Sequence, residues 1–279
     1  MQHILTLSCP DRPGIVASIA QGLYELGANI VDNAQFGDEP SGLFCMRTRF
    51  EVGRDATDVE AELRPRATAL SAVMRVRRID EHPRVLVMVS KHDHCLVDLL
   101  HRWSAGELPV DISLVVSNHP DLEPIVAAAG IDFEHVPVTP ATKPDAEARL
   151  VQLVEERSID LVVLARYMQV LSDDLCAGLS GRAINIHHSF LPGFKGARPY
   201  HQAWDRGVKL IGATAHFVTA ELDEGPIIDQ DVARVTHAVT ADDMVVLGKD
   251  LERIVLSRAV KAWAEGRVFL AGKRTVVLP

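Results

Sequence analysis

Residues Ala183 to Tyr200 read AINIHHSFLPGFKGARPY. An apolar, strand-like run gives way to Asn185, His187, His188 and Ser189, then to a turn rich in glycine and proline. In open α/β sheets, ligands bind outside the carboxyl ends of strands, so a polar cluster at a strand end suggests chemistry. Two adjacent histidines are also compatible with a metal site or a satisfied structural pair. The flanking sequence has to arbitrate.

Upstream, RVLVMVS from Arg84 is an apolar β-branched run of the kind buried on both faces of a sheet. HCLVDLLHRWSAG reads as a helix, DISLVVSN as a strand, DLEPIVAAAG as a helix, FEHVPV as a strand and DAEARLVQLVEERS as a helix. LVVLARYMQV begins as a strand and RAINIH is the next. Alternation of this kind predicts an α/β, doubly wound, mostly parallel sheet. NIHHS then sits at the carboxyl end of one strand. Further on, TADDMVVLGKDLERIVLSRAVKAWAEG is a long helix capped by Thr240 and stopped by Gly266, and RVFLAGKRTVVLP is a terminal hairpin around Ala271 and Gly272.

The first 80 residues are different. HILTLSC, IVASIAQGLYELG, ANIVDNAQF, GLFCMRTRFEV, DATDVEAELRPRATALSAVM and MRVRRI give the order βαββαβ, with Pro65 predicting a break in the second helix. DEHP, residues 80–83, is a polar turn and a linker. The expected domains are therefore 1–82, α+β, and 83–279, α/β. LSCPDRPGIVASIAQGL and GANI resemble the ACT domain, a small-ligand regulatory module. That resemblance implies a regulatory or oligomerisation role, an effector such as glycine or methionine near Asp11, Arg12, Gly14 and Ile15, and a homo-oligomer, with a tetramer as the form considered.

With 279 residues, 47% of them hydrophobic and 24% charged, the chain is expected to bury a real core. A formal net charge of -9 lacks the signature of a nucleic-acid binder. No apolar run reaches the roughly 18 residues of a membrane span, and the N-terminus is not signal-like, so a cytoplasmic, membrane-free protein is expected. Cys9, Cys45, Cys95 and Cys176 show no zinc-like spacing and are read as free thiols.

Around NIHHS, neighbouring side chains on a strand point to opposite faces, so His187 and His188 are poorly placed to share an ion. No metal is expected. A serine triad through Ser189 lacks the G-x-S-x-G elbow. Acid-base and oxyanion chemistry remains. Asn185 and His187, two apart, address one face, where the amide and a protonated imidazole can donate to one carbonyl oxygen. Downstream, KLIGATAHFVTAELDEGPIIDQ adds His216 and, in a loop, Asp223, which can hold the histidine charged or order a nucleophile and take its proton.

NIHHSFLPGFKGARPY and AHFVTAELDEGPII together resemble the folate-dependent formyltransferase family over nearly all of residues 84–279. The resemblance implies Asn185, His187 and Asp223 as catalytic residues, His216 and His188 as supporting ones, and a pterin pocket near Leu164, Tyr167, Met168, Val170 and Leu222. It implies 10-formyltetrahydrofolate as substrate, with no tightly bound cofactor. The segment VMVSKHDHCLVDLL holds no glycine between Val89 and Leu100, so the glycine loop with which family members cradle a ribosyl phosphate is lacking.

That departure, His188 where proline is usual, and the ACT-like start point within the family to the formyltetrahydrofolate deformylases, which pass the formyl group to water. Lys91, His92, Asp93 and His94 then fill the place of the phosphate loop, where they close the pocket or order the water. Two alternatives stand beside this reading. One is transfer to an amine acceptor, and the other is a silent folate- or amino-acid-binding regulator.

Overall fold

The computed structural model describes residues 1–193 and 198–279. Phe194 to Ala197, the FKGA of the opening motif, lie outside the described residues. The chain divides into two compact units, residues 1–82 with 265–279, and residues 83–264.

In the first unit, β1 (Gln2–Pro10), α1 (Ile15–Glu25), β2 (Asn29–Asp38), β3 (Leu43–Glu51), α2 (Ala56–Ala69) and β4 (Val73–Arg78) follow the predicted order. The strands form an antiparallel sheet in the order β2-β3-β1-β4. Ile15, Ile19 and Leu23 from α1 and Val59 and Leu63 from α2 pack on Leu5, Leu7 and Phe50. This burial explains a departure from expectation at Pro65. The helix runs through it, because Val59, Leu63 and Ala67 hold both sides of the missing amide bond in the core. Asp11, Arg12 and Gly14 are exposed at the turn before α1, whereas Ile15 is a core residue.

The second unit contains β5 (Arg84–Val89), α3 (His94–Ser104), β6 (Asp111–Ser117), α4 (Glu123–Ala128), β7 (Phe133–His135), α5 (Lys143–Glu156), β8 (Leu161–Leu164), α6 (Asp173–Gly178), β9 (Ala183–His187), α7 (Pro199–Asp205), β10 (Leu210–Phe217), β11 (Ile227–Arg234) and α8 (Ala241–Ala264). The sheet order is β11-β10-β9-β8-β5-β6-β7. β5 to β9 run parallel, and β10 and β11 add an antiparallel edge. Strand order reverses between β5 and β8, which opens a crevice at their carboxyl ends. Leu150 and Leu153 of α5 and Leu175 of α6 cover Leu86, Leu114 and Val162 on one side. α8 packs along β9, β10 and β11 and against α3. Its start is a reciprocal cap, with Asp243 N donating to Thr240 Oγ1 (3.1 Å) and Thr240 N to Asp243 Oδ2 (3.0 Å). The strand β11 carries no clear alternation and was not expected from the sequence.

The terminal hairpin, β12 (Val268–Ala271) and β13 (Arg274–Val277), corrects the expected domain 83–279. It belongs to the first unit, where Phe269, Val276 and Leu278 cover Cys45, Ala34 and Leu43. The sheet face turned away from α1 and α2 would otherwise leave these groups in water. Arg274 pairs with Asp38 at 2.9 Å, and Arg47 Nε donates to the Glu265 carbonyl at 2.8 Å.

Gly248 lies in mid-helix in α8, and a Cβ there would overlap the Tyr200 ring. Replacing a helical glycine by alanine favours the helix by about 1 kcal/mol, but overpacking costs about 1–3 kcal/mol. Gly248→Ala is therefore expected to lower the thermal midpoint. A rise in the midpoint would show that the ring can move aside.

Candidate active site

β9 ends at His187, and β10 returns beside it in antiparallel register, with His216 opposite Asn185 and Thr214 opposite His187. A register shift at Ala215/His216 interrupts the β10–β11 ladder just before β10 ends at Phe217. The loop that follows is set by Gly225, whose missing side chain lets the backbone lie on the Phe217 carbonyl. Asp223 sits just before it with φ 58°, a left-handed conformation uncommon for aspartate. The turn brings its carboxylate back over the end of β9.

His187 Nδ1 lies 3.2 Å from Asp223 Oδ1. A carboxylate only accepts, so Nδ1 carries the proton and Nε2 is the nitrogen left for a ligand. Nε2 is buried and has no hydrogen-bond partner among the described residues. Burial alone would raise the Asp223 pKa, but the hydrogen bond and charge of His187, with His216 and His188 behind them, outweigh it and hold the carboxyl below its usual range.

His216 Nδ1 donates to the Phe217 carbonyl at 2.8 Å, which fixes its tautomer. Its Nε2 then accepts from Asn185 Nδ2 at 3.2 Å. Burial lowers the His216 pKa and keeps the ring neutral. The amide of Asn185 is thereby oriented with one N–H spent and the other free. Asp223 Oδ1 is 3.9 Å from His216 Nε2, too long for a hydrogen bond. His216 therefore buttresses Asn185 more directly than the acid.

These side chains line one cavity of about 250 Å³. Its walls include Leu164, Tyr167 and Val218, and Met168, Val170 and Leu222 at about half exposure. A mostly apolar cleft with a few convergent polar groups is the usual form of a small-molecule site. Burial pushes the Tyr167 hydroxyl up to about 12, so it stays protonated. The wall is pinned by Ser90, which accepts from Met168 N at 3.0 Å and donates to Asn118 Oδ1 at 2.6 Å.

All the expected catalytic, supporting and pterin-pocket residues line this one cavity. Strand alternation predicted that His187 and His188 diverge. They do not, because β9 stops at His187 and His188 is free to turn inward. Lys91, His92 and Asp93 are exposed, and none of residues 91–94 lines the cavity. His94 turns away to Glu252.

Glu252 of α8, 1% exposed, is a residue the sequence did not signal. It accepts from His94 Nε2 at 2.8 Å and Tyr200 Oη at 2.9 Å, and lies 3.2 Å from Arg166 Nε. Burial opposes its charge, but His94 and Arg166 more than compensate and its pKa is lowered. Arg166, which lines the cavity, has φ 65°. His94, Cys95 and Glu252 also place potential metal ligands within 4.8 Å of one another, but the adjoining guanidinium already supplies the positive charge a cation would bring.

The profile described as "Formyl transferase" matches residues 83–260, and that described as "ACT domain" matches residues 3–66. A formyltetrahydrofolate deformylase from Corynebacterium sp. (strain P-1) is 49% identical over 100% of this chain and 98% of its own. The chain belongs to the formyltetrahydrofolate deformylase family. The Synechocystis sp. deformylase is 47% identical, over 98% of this chain and 97% of its own. The crystal structure of the Burkholderia mallei deformylase superimposes with a TM-score of 0.95 at 50% identity, covering 99% of both chains. In this deformylase-family chain the ACT domain and the formyltransferase-type sheet are thus both present, as the sequence motifs implied.

Removing the charge of Glu252 by Glu252→Gln leaves Arg166 buried without its counter-ion, and breaking a buried pair costs about 3–5 kcal/mol. Because the folded-state pKa of Glu252 is depressed, its contribution is complete above the unfolded carboxylate pKa and is lost as pH falls through the lower folded value. Urea unfolding at neutral pH is expected to show the full loss, and the difference from the parent to shrink in acid. A loss below about 1 kcal/mol, the scale of an exposed pair, would mean that Arg166 does not depend on this partner.

Proposed function

We propose that the chain hydrolyses 10-formyltetrahydrofolate to formate and tetrahydrofolate. The observation that carries this reading is the convergence of Asn185, His187 and Asp223 on one largely apolar cavity, with the donor set His187 Nε2 and Asn185 Nδ2 unspent. A flat pterin suits the walls Leu164, Tyr167, Met168, Val170 and Leu222, which leaves the formyl group at N10 facing the polar end.

The imidazolium of His187, supported by Asp223, and the free N–H of Asn185 donate to the formyl oxygen. Charge developing on that oxygen is met by one charged and one neutral donor already in place. Asp223 Oδ1 is engaged by His187, while Oδ2 has no donor among the described residues and is available to a water. The water oxygen bonds to the formyl carbon, and Asp223 takes one of its protons. When the C–N10 bond breaks, its electron pair stays on N10, which receives that proton. The second water proton leaves with formic acid, which ionises to formate. No external electron donor or acceptor is needed.

The first unit, we infer, senses an amino acid such as glycine or methionine around Asp11, Arg12 and Gly14, and the protein works as a homo-oligomer in the cytoplasm. Its ACT match and the turn before α1 support this. Among the described residues no helix is long and apolar enough to cross a membrane.

Formate release should proceed with no amine acceptor present. Asn185→Ala, His187→Ala and Asp223→Ala are each expected to lower kcat about 10²–10³-fold, the scale of a lost oxyanion donor. Activity within a few-fold of the parent would sink these assignments. Amine-dependent loss of the formyl group would replace hydrolysis with transfer. Glycine or methionine is expected to change the rate, and Arg12→Ala to abolish that response alone. A flat titration with both amino acids would remove them as effectors.

A further inference from the structure

His188 and His187 are adjacent in sequence and their ring centroids lie 5.1 Å apart, yet their surroundings differ. His187 faces the carboxylate of Asp223. His188 lies near the Arg166 guanidinium and against the Tyr200 ring, at 6.1 Å. Burial first, and then the charge of Arg166, hold the His188 pKa down at about 3. A neutral imidazole keeps a lone pair on one ring nitrogen and can accept a hydrogen bond there.

Its position is fixed from behind. Thr214 Oγ1 donates to the Ser189 carbonyl at 2.8 Å and accepts from Leu191 N at 3.1 Å, while Ser189 Oγ donates to the Gly193 carbonyl at 2.7 Å. Arg166 holds a backbone conformation that favours glycine, so the position is occupied for its side chain. Glu252 keeps that side chain in place. Yet His188 itself makes no hydrogen bond to any described residue, and it lines the cavity that holds Asn185, His187 and Asp223.

We propose that His188 is a catalytic residue that accepts a hydrogen bond from the attacking water and so makes water the acceptor of the formyl group. This rests on the hydrolytic reading above and deepens it. A water has two O–H bonds. With one directed to Asp223 and the other to His188, its lone pair is left facing the formyl carbon. His188 takes no proton in the step, since the one that moves goes through Asp223 to N10. An amine nucleophile does not need the same pair of acceptors.

The test compares His188→Ala and His188→Gln with the parent, using 10-formyltetrahydrofolate with and without hydroxylamine, which traps the formyl group as formohydroxamate. In His188→Ala, kcat for formate release is expected to fall about 10–100-fold, with KM within about 2-fold and the ratio of hydroxamate to formate up at least about 10-fold. His188→Gln, which retains an acceptor, should recover part of the hydrolysis. Unchanged hydrolysis in His188→Ala, or an equal loss of both products, would overturn the proposal. If the alanine chain does not fold, hydrolysis by His188→Gln no better than by His188→Leu would overturn it too. A parent chain that releases no formate without amine would instead refute the hydrolytic reading itself.

Discussion

The active cavity depends on how the backbone turns between Phe217 and Gly225. Only a residue without a side chain can lie on the Phe217 carbonyl, and Gly225 does so. That contact closes the loop tightly enough to put Asp223 above the end of β9, at the cost of a left-handed aspartate. The antiparallel register then matters as much as the loop. Because His216 is opposite Asn185, the strand carrying the loop also orients the amide. One return of the chain thus sets the acid, the imidazole it supports and the neutral donor beside them.

A second constraint works from the other side of the cavity. Glu252 gathers His94, Arg166 and Tyr200 at the inner face of α8. A buried ion pair of this kind is weak evidence for stability, since desolvation offsets much of the attraction. Its effect on its neighbours is firmer. It holds Arg166 near the buried ring of His188, while Asp223 faces His187. Two identical side chains thus meet different surroundings.

Much of this was legible in the sequence because it follows from period and order. The βαββαβ start, the alternating elements and the position of NIHHS at a strand end all follow from apolar spacing and turn residues. Asn185 and His187 share a face because they are two apart. What was not legible depends on where chains end or meet. His188 escapes alternation because β9 stops one residue earlier. The last fifteen residues continue α8 in sequence but cover the sheet of the first unit, and no local signal in RVFLAGKRTVVLP says which face it will find. Pro65 argued for a break that core contacts on both sides overrode.

Glu252 shows why the remaining signal is hard to read. In LGKDLERIVLS it is one acid among charged neighbours on a helix, and the usual expectation for such a residue is a solvated face. It is buried because Gly248, one turn earlier, makes room for the Tyr200 ring, whose hydroxyl reaches back to the carboxylate. Arg166 is equally unmarked, since nothing in LARYM announces a left-handed arginine. Both residues break a local preference, and both do so beside the cavity. Strain and buried charge persist only where surrounding contacts enforce them. Their coincidence beside one cavity is thus itself an argument that the enforcement serves the cavity and not the fold alone.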